Sequence, residues 1–362
     1  LYALFGTSRQ ISTGPSSALA AVAASAVLVA GISSDQDAVA LVAAITLVTG
    51  LLFLLLALFK MGWISQFLSK AVITGFLFGA AIEVVIGELP KITGTSIEGS
   101  NSWQKLVSWL QGLPDTDGTT LLVGLISLAL IFGLRRVAPR VPGALVLVVV
   151  GLVASAALGL GERGLALIGD VPSGLPSLAL PNLGFFMDNL PVIIAAAFVL
   201  LLIGFSQSAG DARAFAAKHK YRVDINQESV AQGMSNLGSG LVQGIPVSTS
   251  LSASSLNDTS GAKTPVASLT TGALIILTLL FLAPLFSGLP KAVLAALIID
   301  AVVFGMMDVP EMRRLRRVAR VDFWIAVAAI LGVLSAGVLA GVIIGIGLSI
   351  LWLIYISVTP HM

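Results

Sequence analysis

Between Gly244 and Thr264 the chain reads GIPVSTSLSASSLNDTSGAKT, a run rich in hydroxyl side chains set between segments apolar enough to cross a bilayer. That position restricts what the run can become. Hydrocarbon offers no water to satisfy backbone N–H and C=O groups. A polar segment broken by Gly and Pro must therefore be buried in protein or line a wet cavity. Broken helices of this kind form substrate sites in secondary transporters, with a half-helix N-terminus aimed at an anion. The plain alternative is a hydrophilic loop outside the membrane.

Composition favours the membrane. Of the residues, 57% are hydrophobic and 10% charged, against roughly 25% charged in soluble domains. An integral membrane protein is expected. There is no cysteine, which excludes a disulfide frame, a thiol nucleophile and a Cys-ligated metal. The two histidines, His219 and His361, lie outside the apolar runs. No Cys, His pair or Ser/Lys dyad converges in an apolar segment, so the chain does not read as an enzyme. No cofactor and no metal are expected. Leu1 stands in mid-pattern with no signal-peptide design around it, so the chain reads as a fragment.

Twelve membrane segments are read: 16–31, 38–59, 67–86, 119–134, 143–160, 190–204, 229–242, 248–257, 265–286, 292–307, 323–336 and 338–356. A full span needs about 20 residues, so the shorter ones are tilted or discontinuous helices. Segment 229–242 carries Gln232, Ser235 and Asn236 and belongs inside the bundle. Residues 103–113 suggest an interfacial helix.

Charge tests this count. If the chain starts on the cytoplasmic side, the inner loops hold sixteen of the 20 Lys and Arg and the outer loops hold Lys91, Lys105, Arg163 and Lys291. This is the positive-inside pattern. The basic run Arg313 to Arg320 belongs to that signal; nucleic acid is not an expected partner. A repeat supports it as well. Lys70-Ala71-Val72 opens the third segment and Glu88-x-Pro90 closes it; Lys291-Ala292-Val293 opens the tenth and Asp308-x-Pro310 closes it. Ser12-Thr13 and Ser248-Thr249 likewise precede the first and eighth segments. An odd offset of seven segments gives opposite directions, the mark of an inverted repeat.

Inverted halves bring the starts of two segments together at the bilayer midplane. Gly14-Pro15-Ser16-Ser17 and Ser252-Ala253-Ser254 would each present free backbone N–H groups there. Two helix N-termini ringed by hydroxyls form an anion site built from neutral donors. Close packing of small residues is the competing account. Gln207, ending the sixth segment, supplies a neutral amide. Asp300 and Glu83, ionisable groups inside the membrane, are candidate proton carriers. Asp211, Arg213, Lys218, Lys220 and Asp224 read as a solvated cytoplasmic extension.

These residues resemble the sulfate permease (SulP) family of anion transporters and channels. Tyr2 to Arg9 looks like the tail of the family signature, followed by its S-x-GP at Ser12 to Pro15. Phe215 to Glu228 is similar to its FA…NQE element, Gly244 to Thr264 to its tenth-helix region, and Leu289 to Ala296 to its LP-x-A-x-L-A-A. The resemblance implies seven plus seven inverted helices in a core and a gate domain. The chain would supply core at 1–64 and 187–287, and gate at 65–186 and 288–362. It would run from the family's third helix to its fourteenth, without the first two and without the cytosolic STAS domain. A homodimer in the bacterial inner membrane is implied.

Two positions depart from the family pattern. Gln207 stands where proton-coupled members often carry glutamate, and Ala253 stands where many carry arginine. The function expected is secondary transport of a small anion: sulfate, bicarbonate, chloride or a dicarboxylate, with a proton or sodium as candidate co-substrate. The alternatives are a passive anion channel and a nucleobase carrier of the same fold. The neutral Gln207 argues against the last.

Overall fold

The computed structural model describes residues 1–61, 70–99, 101–139, 141–171 and 174–358. The start of the predicted segment at Phe67, residue Arg140, and the side chains of Ser17, Lys70 and Ser252 lie outside what it describes. Fifteen helices and two short strands follow in order: α1 Tyr2–Phe5, β1 Thr13–Pro15, α2 Ser17–Val29, α3 Asp35–Leu58, α4 Lys70–Thr93, α5 Ser102–Gln111, α6 Gly118–Val137, α7 Gly143–Leu158, α8 Leu183–Asp188, α9 Leu190–His219, α10 Ile225–Leu241, β2 Val247–Thr249, α11 Leu251–Thr259, α12 Val266–Leu277, α13 Lys291–Met306, α14 Val309–Val318 and α15 Arg320–Val358.

Among the described residues, seven segments are long and apolar enough to cross a membrane by length and composition. Of the other predicted segments, 16–31, 143–160 and 229–242 are shorter helices, 248–257 is strand β2 followed by the short α11, and 338–356 continues α15. Local chemistry sets several boundaries. Asp117 accepts the Thr120 N–H at 2.7 Å and starts α6, and Asp224 accepts the Asn226 N–H at 2.9 Å and starts α10. Gly337, at φ 86° and ψ 168°, breaks α15 between the last two predicted segments. A residue with a side chain would be strained at that position. α12 runs on through a π-helical turn at Thr278–Leu282 and a 3-10 turn at Ala283–Gly288, which together complete the ninth predicted segment.

Packing sorts the helices into two groups. In one, α10 lies along α3, α9 packs on α2, α3 and α10, and α1 packs on α10. In the other, α15 lies along α4, while α13 packs on α4, α6 and α7. Small residues allow close crossings: a Cβ on Gly50 of α3 would lie 2.8 Å from the Leu237 backbone nitrogen of α10. Apolar side chains of α2, α3, α4, α9 and α13 share one cluster around Leu19, Ile45, Phe76, Leu200 and Val302, which joins the groups. The basic run at Arg313 is a helix, α14. It buries Leu315 against Ala71 and Ala326 and leaves its arginines exposed.

Candidate functional site

Two extended segments, one from each half of the chain, meet as a two-stranded antiparallel ladder. Thr13 pairs with Thr249, Gly14 with Ser248 and Pro15 with Val247. Each strand leads within two residues into a helix, β1 into α2 and β2 into α11. The ladder therefore sets the starts of two helices side by side. Beyond it, the Ser250 N–H donates to the Ser12 carbonyl at 3.1 Å.

α10 holds this arrangement in place. Asn236 acts as a substitute strand: its Oδ1 accepts the Val247 N–H at 3.0 Å and its Nδ2 donates to the Val247 carbonyl at 3.0 Å. Gln232 Nε2 donates to the same carbonyl at 2.5 Å. Both side chains are fully buried. A buried, unpaired backbone group is costly, and these two amides spare β2 that cost on its unladdered side. This accounts for the polar character of a helix inside the bundle.

The predicted site residues divide into three sets. Gly14, Pro15, Ser16 and Ala253 lie at the joined helix starts, with Pro15 and Ala253 exposed. A side chain on Gly14 would meet no atom within 4 Å, so the ladder opens to free space there. Ser16 is the N-cap of α2 and makes no side-chain cap, whereas Ser250 caps α11 by accepting the Ala253 N–H at 3.2 Å. Gln207 Oε1 accepts the Ser248 hydroxyl at 3.1 Å, which brings the amide to the ladder. Ser254 is buried, and its hydroxyl accepts the Ser12 N–H at 2.9 Å, bracing the two arms. The backbones of Ser17 and Ser252 stand in the first turns of α2 and α11.

The two proposed proton carriers sit elsewhere. Asp300 of α13 accepts Arg135 Nε at 3.1 Å and a second guanidinium nitrogen at 2.6 Å, and Arg135 lies 4.2 Å from the centre of the Phe304 ring. The carboxylate is committed to a paired site between α6 and α13. Glu83 of α4 is half-buried, and its Oε2 has no hydrogen-bond partner among the described residues.

One expectation needs correction. Asp211 is half-buried rather than free in water: it lies one turn past Gln207 on α9, and its Oδ2 accepts the Thr249 hydroxyl at 2.8 Å. Arg213, Lys218, Lys220 and Asp224 are exposed as expected, and two basic groups of this stretch, Lys218 and His219, are paired. Both reach Asp258 of α11 at 2.6 Å. Asp258 sits at the C-terminal end of α11, where a carboxylate opposes the helix dipole, and the two basic groups offset this. A second constellation absent from the sequence reading surrounds Glu228. This fully buried carboxylate accepts the Tyr2 hydroxyl, the Thr7 N–H at 2.7 Å, the Thr7 hydroxyl at 2.6 Å and the Ser8 N–H at 2.8 Å, and so ties the first residues to α10.

The site thus offers helix-start N–H groups, hydroxyls and one amide, with the Asp211 carboxylate beside them and, among the described residues, no fixed positive charge at the ladder. Such a set holds an anion by dipoles and hydrogen bonds. A separate cavity of about 410 Å³, lined by Gln36, Ala43, Asn182 and Phe185 among others, includes none of these residues.

Comparison with known proteins bears on this geometry. The model for the sulfate permease family matches residues 1–329. A probable sulfate transporter of Mycobacterium tuberculosis is 35% identical over 362 residues, covering 100% of this chain and 64% of its own length. The chloroplastic sulfate transporter 4.1 of Arabidopsis thaliana is 29% identical, covering 100% of this chain and 53% of its own. The chain thus spans less than two thirds of these relatives. Among solved structures, the transmembrane domain of the cyanobacterial bicarbonate transporter BicA aligns with a TM-score of 0.78 at 25% identity, covering 95% of this chain and 86% of that one. The overall structure of SLC26A9 aligns with a TM-score of 0.87 at 23% identity, covering 98% and 59%, a likeness of fold alone. The fold is an all-α inverted repeat, and the protein is an integral, multi-pass membrane protein. Its relatives are transporters rather than enzymes. The chain belongs to the sulfate permease family.

Proposed function

We propose that this chain forms the membrane portion of a secondary anion transporter, holding its substrate between the N-termini of α2 and α11. The observation that carries this reading is the Gly14–Ser248 ladder, which joins two helix starts at a point open to free space. Gly14, Pro15, Ser16, Ser17, Ser252, Ala253 and Ser254 form the arms of the site, and Gln207 its hydrogen-bonding wall. Backbone donors at a helix start favour an anion through hydrogen bonds and through the helix dipole.

Transport proceeds by alternating access, the core parts 1–64 and 187–287 moving against the gate parts 65–186 and 288–362. The two packing groups of helices support that division. A site without fixed positive charge suits a monovalent anion or a dicarboxylate better than sulfate, because no arginine offsets a second compact charge. The working unit is a homodimer in the bacterial inner membrane.

Uptake of labelled sulfate, bicarbonate, chloride and fumarate by the full-length protein in proteoliposomes tests the proposal. Saturable uptake of one of them is expected. Flux that rises linearly with concentration would instead make the protein a channel. Competition by uracil would make it a nucleobase carrier.

A further inference from the structure

One ionisable side chain stands at the ladder. Asp211 follows Gln207 by one turn of α9, so the two side chains leave the same helix face. Gln207 takes the Ser248 hydroxyl and Asp211 takes the Thr249 hydroxyl, neighbouring residues of β2. Thr249 lies opposite Thr13, the first residue of the strand that leads into α2. The carboxylate therefore touches the strand that presents the anion site. Among the described hydrogen bonds only its Oδ2 is engaged, and the residue is half-buried. An ionisable group held in a membrane-spanning helix, as α9 is by length and composition, is expensive to keep and marks an ion or proton path.

Resting on the anion site described above, we infer that Asp211 carries a coupling proton: ionised when the site is empty, protonated when an anion sits at the helix starts. Like charges at short range disfavour each other, so an arriving anion is better accommodated by a neutral carboxyl. The proton comes from water on the side where the site is open, binds a carboxylate oxygen, and leaves to water on the other side with the anion. No covalent bond of the substrate changes.

The surrounding charges leave this role to Asp211. From α1, Tyr2 faces it, but the Tyr2 hydroxyl is bonded to Glu228 of α10, and that carboxylate already accepts four hydrogen bonds. From α11, Asp258 is held by Lys218 and His219. Arg213, two residues along α9, is exposed. On α3, Asp35 and Asp37 occupy the first turn, at the end away from Asp211, and the exposed Lys60 follows the helix. α15 carries Arg320 and Asp322 at its start. α2, β1 and β2 carry no ionisable side chain.

Asp211 also pins β2 through Thr249, and the isosteric variant separates the two roles. D211N keeps an oxygen acceptor for Thr249 but cannot ionise; T249V removes the pin and keeps the carboxylate. In proteoliposomes holding the full-length protein, the ratio of labelled sulfate, bicarbonate or fumarate uptake with and without an inward proton gradient is measured. The wild type and T249V are expected to give a ratio above one, and D211N a ratio of one. A wild-type ratio of one, or a D211N ratio equal to the wild type, overturns the inference and leaves the anion site standing. Infrared difference spectra between acid and neutral buffer decide cases where a protein shows no uptake at all. Loss of a protonated-carboxyl band in D211N, but not in E83Q or D300N, supports Asp211 as the titrating group. A band unchanged in D211N overturns it.

Discussion

Gly14 lies opposite Ser248 in an antiparallel ladder that joins the two halves of the chain. Among the described residues neither strand has a second neighbour strand, and each leads within two residues into a helix. A two-stranded ribbon of this length has little stability of its own. It persists because Asn236 and Gln232 satisfy Val247 from the other side and because Ser254 bonds to Ser12. The consequence is a pair of helix starts fixed at one place, with the polar groups needed to receive an anion.

Asn236→Leu should damage both stability and transport. It strips two hydrogen bonds from Val247; the carbonyl keeps Gln232 Nε2, but the N–H loses its side-chain acceptor, at about 1–3 kcal/mol. A lower melting temperature in detergent and a fall in maximal uptake are expected. Wild-type behaviour in both would mean that β2 does not depend on this amide.

Ala253→Arg should strengthen binding of divalent anions. Ala253 is exposed in the first turn of α11, so a guanidinium fits without repacking. A positive charge near the helix start adds attraction that grows with anion charge, and a roughly tenfold lower competition constant for sulfate is expected. An unchanged constant would place the anion elsewhere.

The Arg135–Asp300 pair should behave as structure rather than as a proton path. Arg135→Ala leaves the Asp300 carboxylate buried without its partner. Arg135 is itself half-exposed, so the cost is the lower end of about 3–5 kcal/mol. Asp300→Asn should cost less, because the freed guanidinium reaches water. The combined Arg135→Met and Asp300→Leu protein should be more stable than Arg135→Ala alone, and thermal unfolding of the three variants measures the order.

Asp117 gives a pH signature to the start of α6. Hydrogen bonds from the Thr120 hydroxyl and N–H hold its carboxyl below the ordinary carboxylate value. A depressed folded-state value means that its stabilisation is present at neutral pH and is lost as pH falls through that value. The difference in melting temperature between wild type and Asp117→Ala should therefore be positive at neutral pH and shrink in acid. A difference independent of pH would show that the cap does not depend on ionisation.

Much of this was legible in the sequence, for identifiable reasons. Apolar runs of the length a bilayer demands gave the helices, and the Gly337 break fell between two of them. The repeated Ser-Thr pairs marked the two segments that the ladder joins. What hydropathy does not carry is pairing across long separations. Asp300 looked like a lone membrane carboxylate because Arg135 lies in another segment. Asp211 looked solvated because it shares a short stretch with Arg213, Lys218 and Lys220, and only the path of β2 brings Thr249 to it. α14 was read as topology-setting charge because its arginines hide the apolar face that carries Leu315.

The most direct test of the anion site is to locate an anion in it. The full-length protein crystallised with selenate, and separately with bromide, would show the ion by anomalous scattering. The peak is expected beside the Gly14–Ser248 ladder, within hydrogen-bonding reach of the backbone N–H groups that begin α2 and α11. A peak in the cavity lined by Gln36, Asn182 and Phe185, with none at the ladder, would contradict the account.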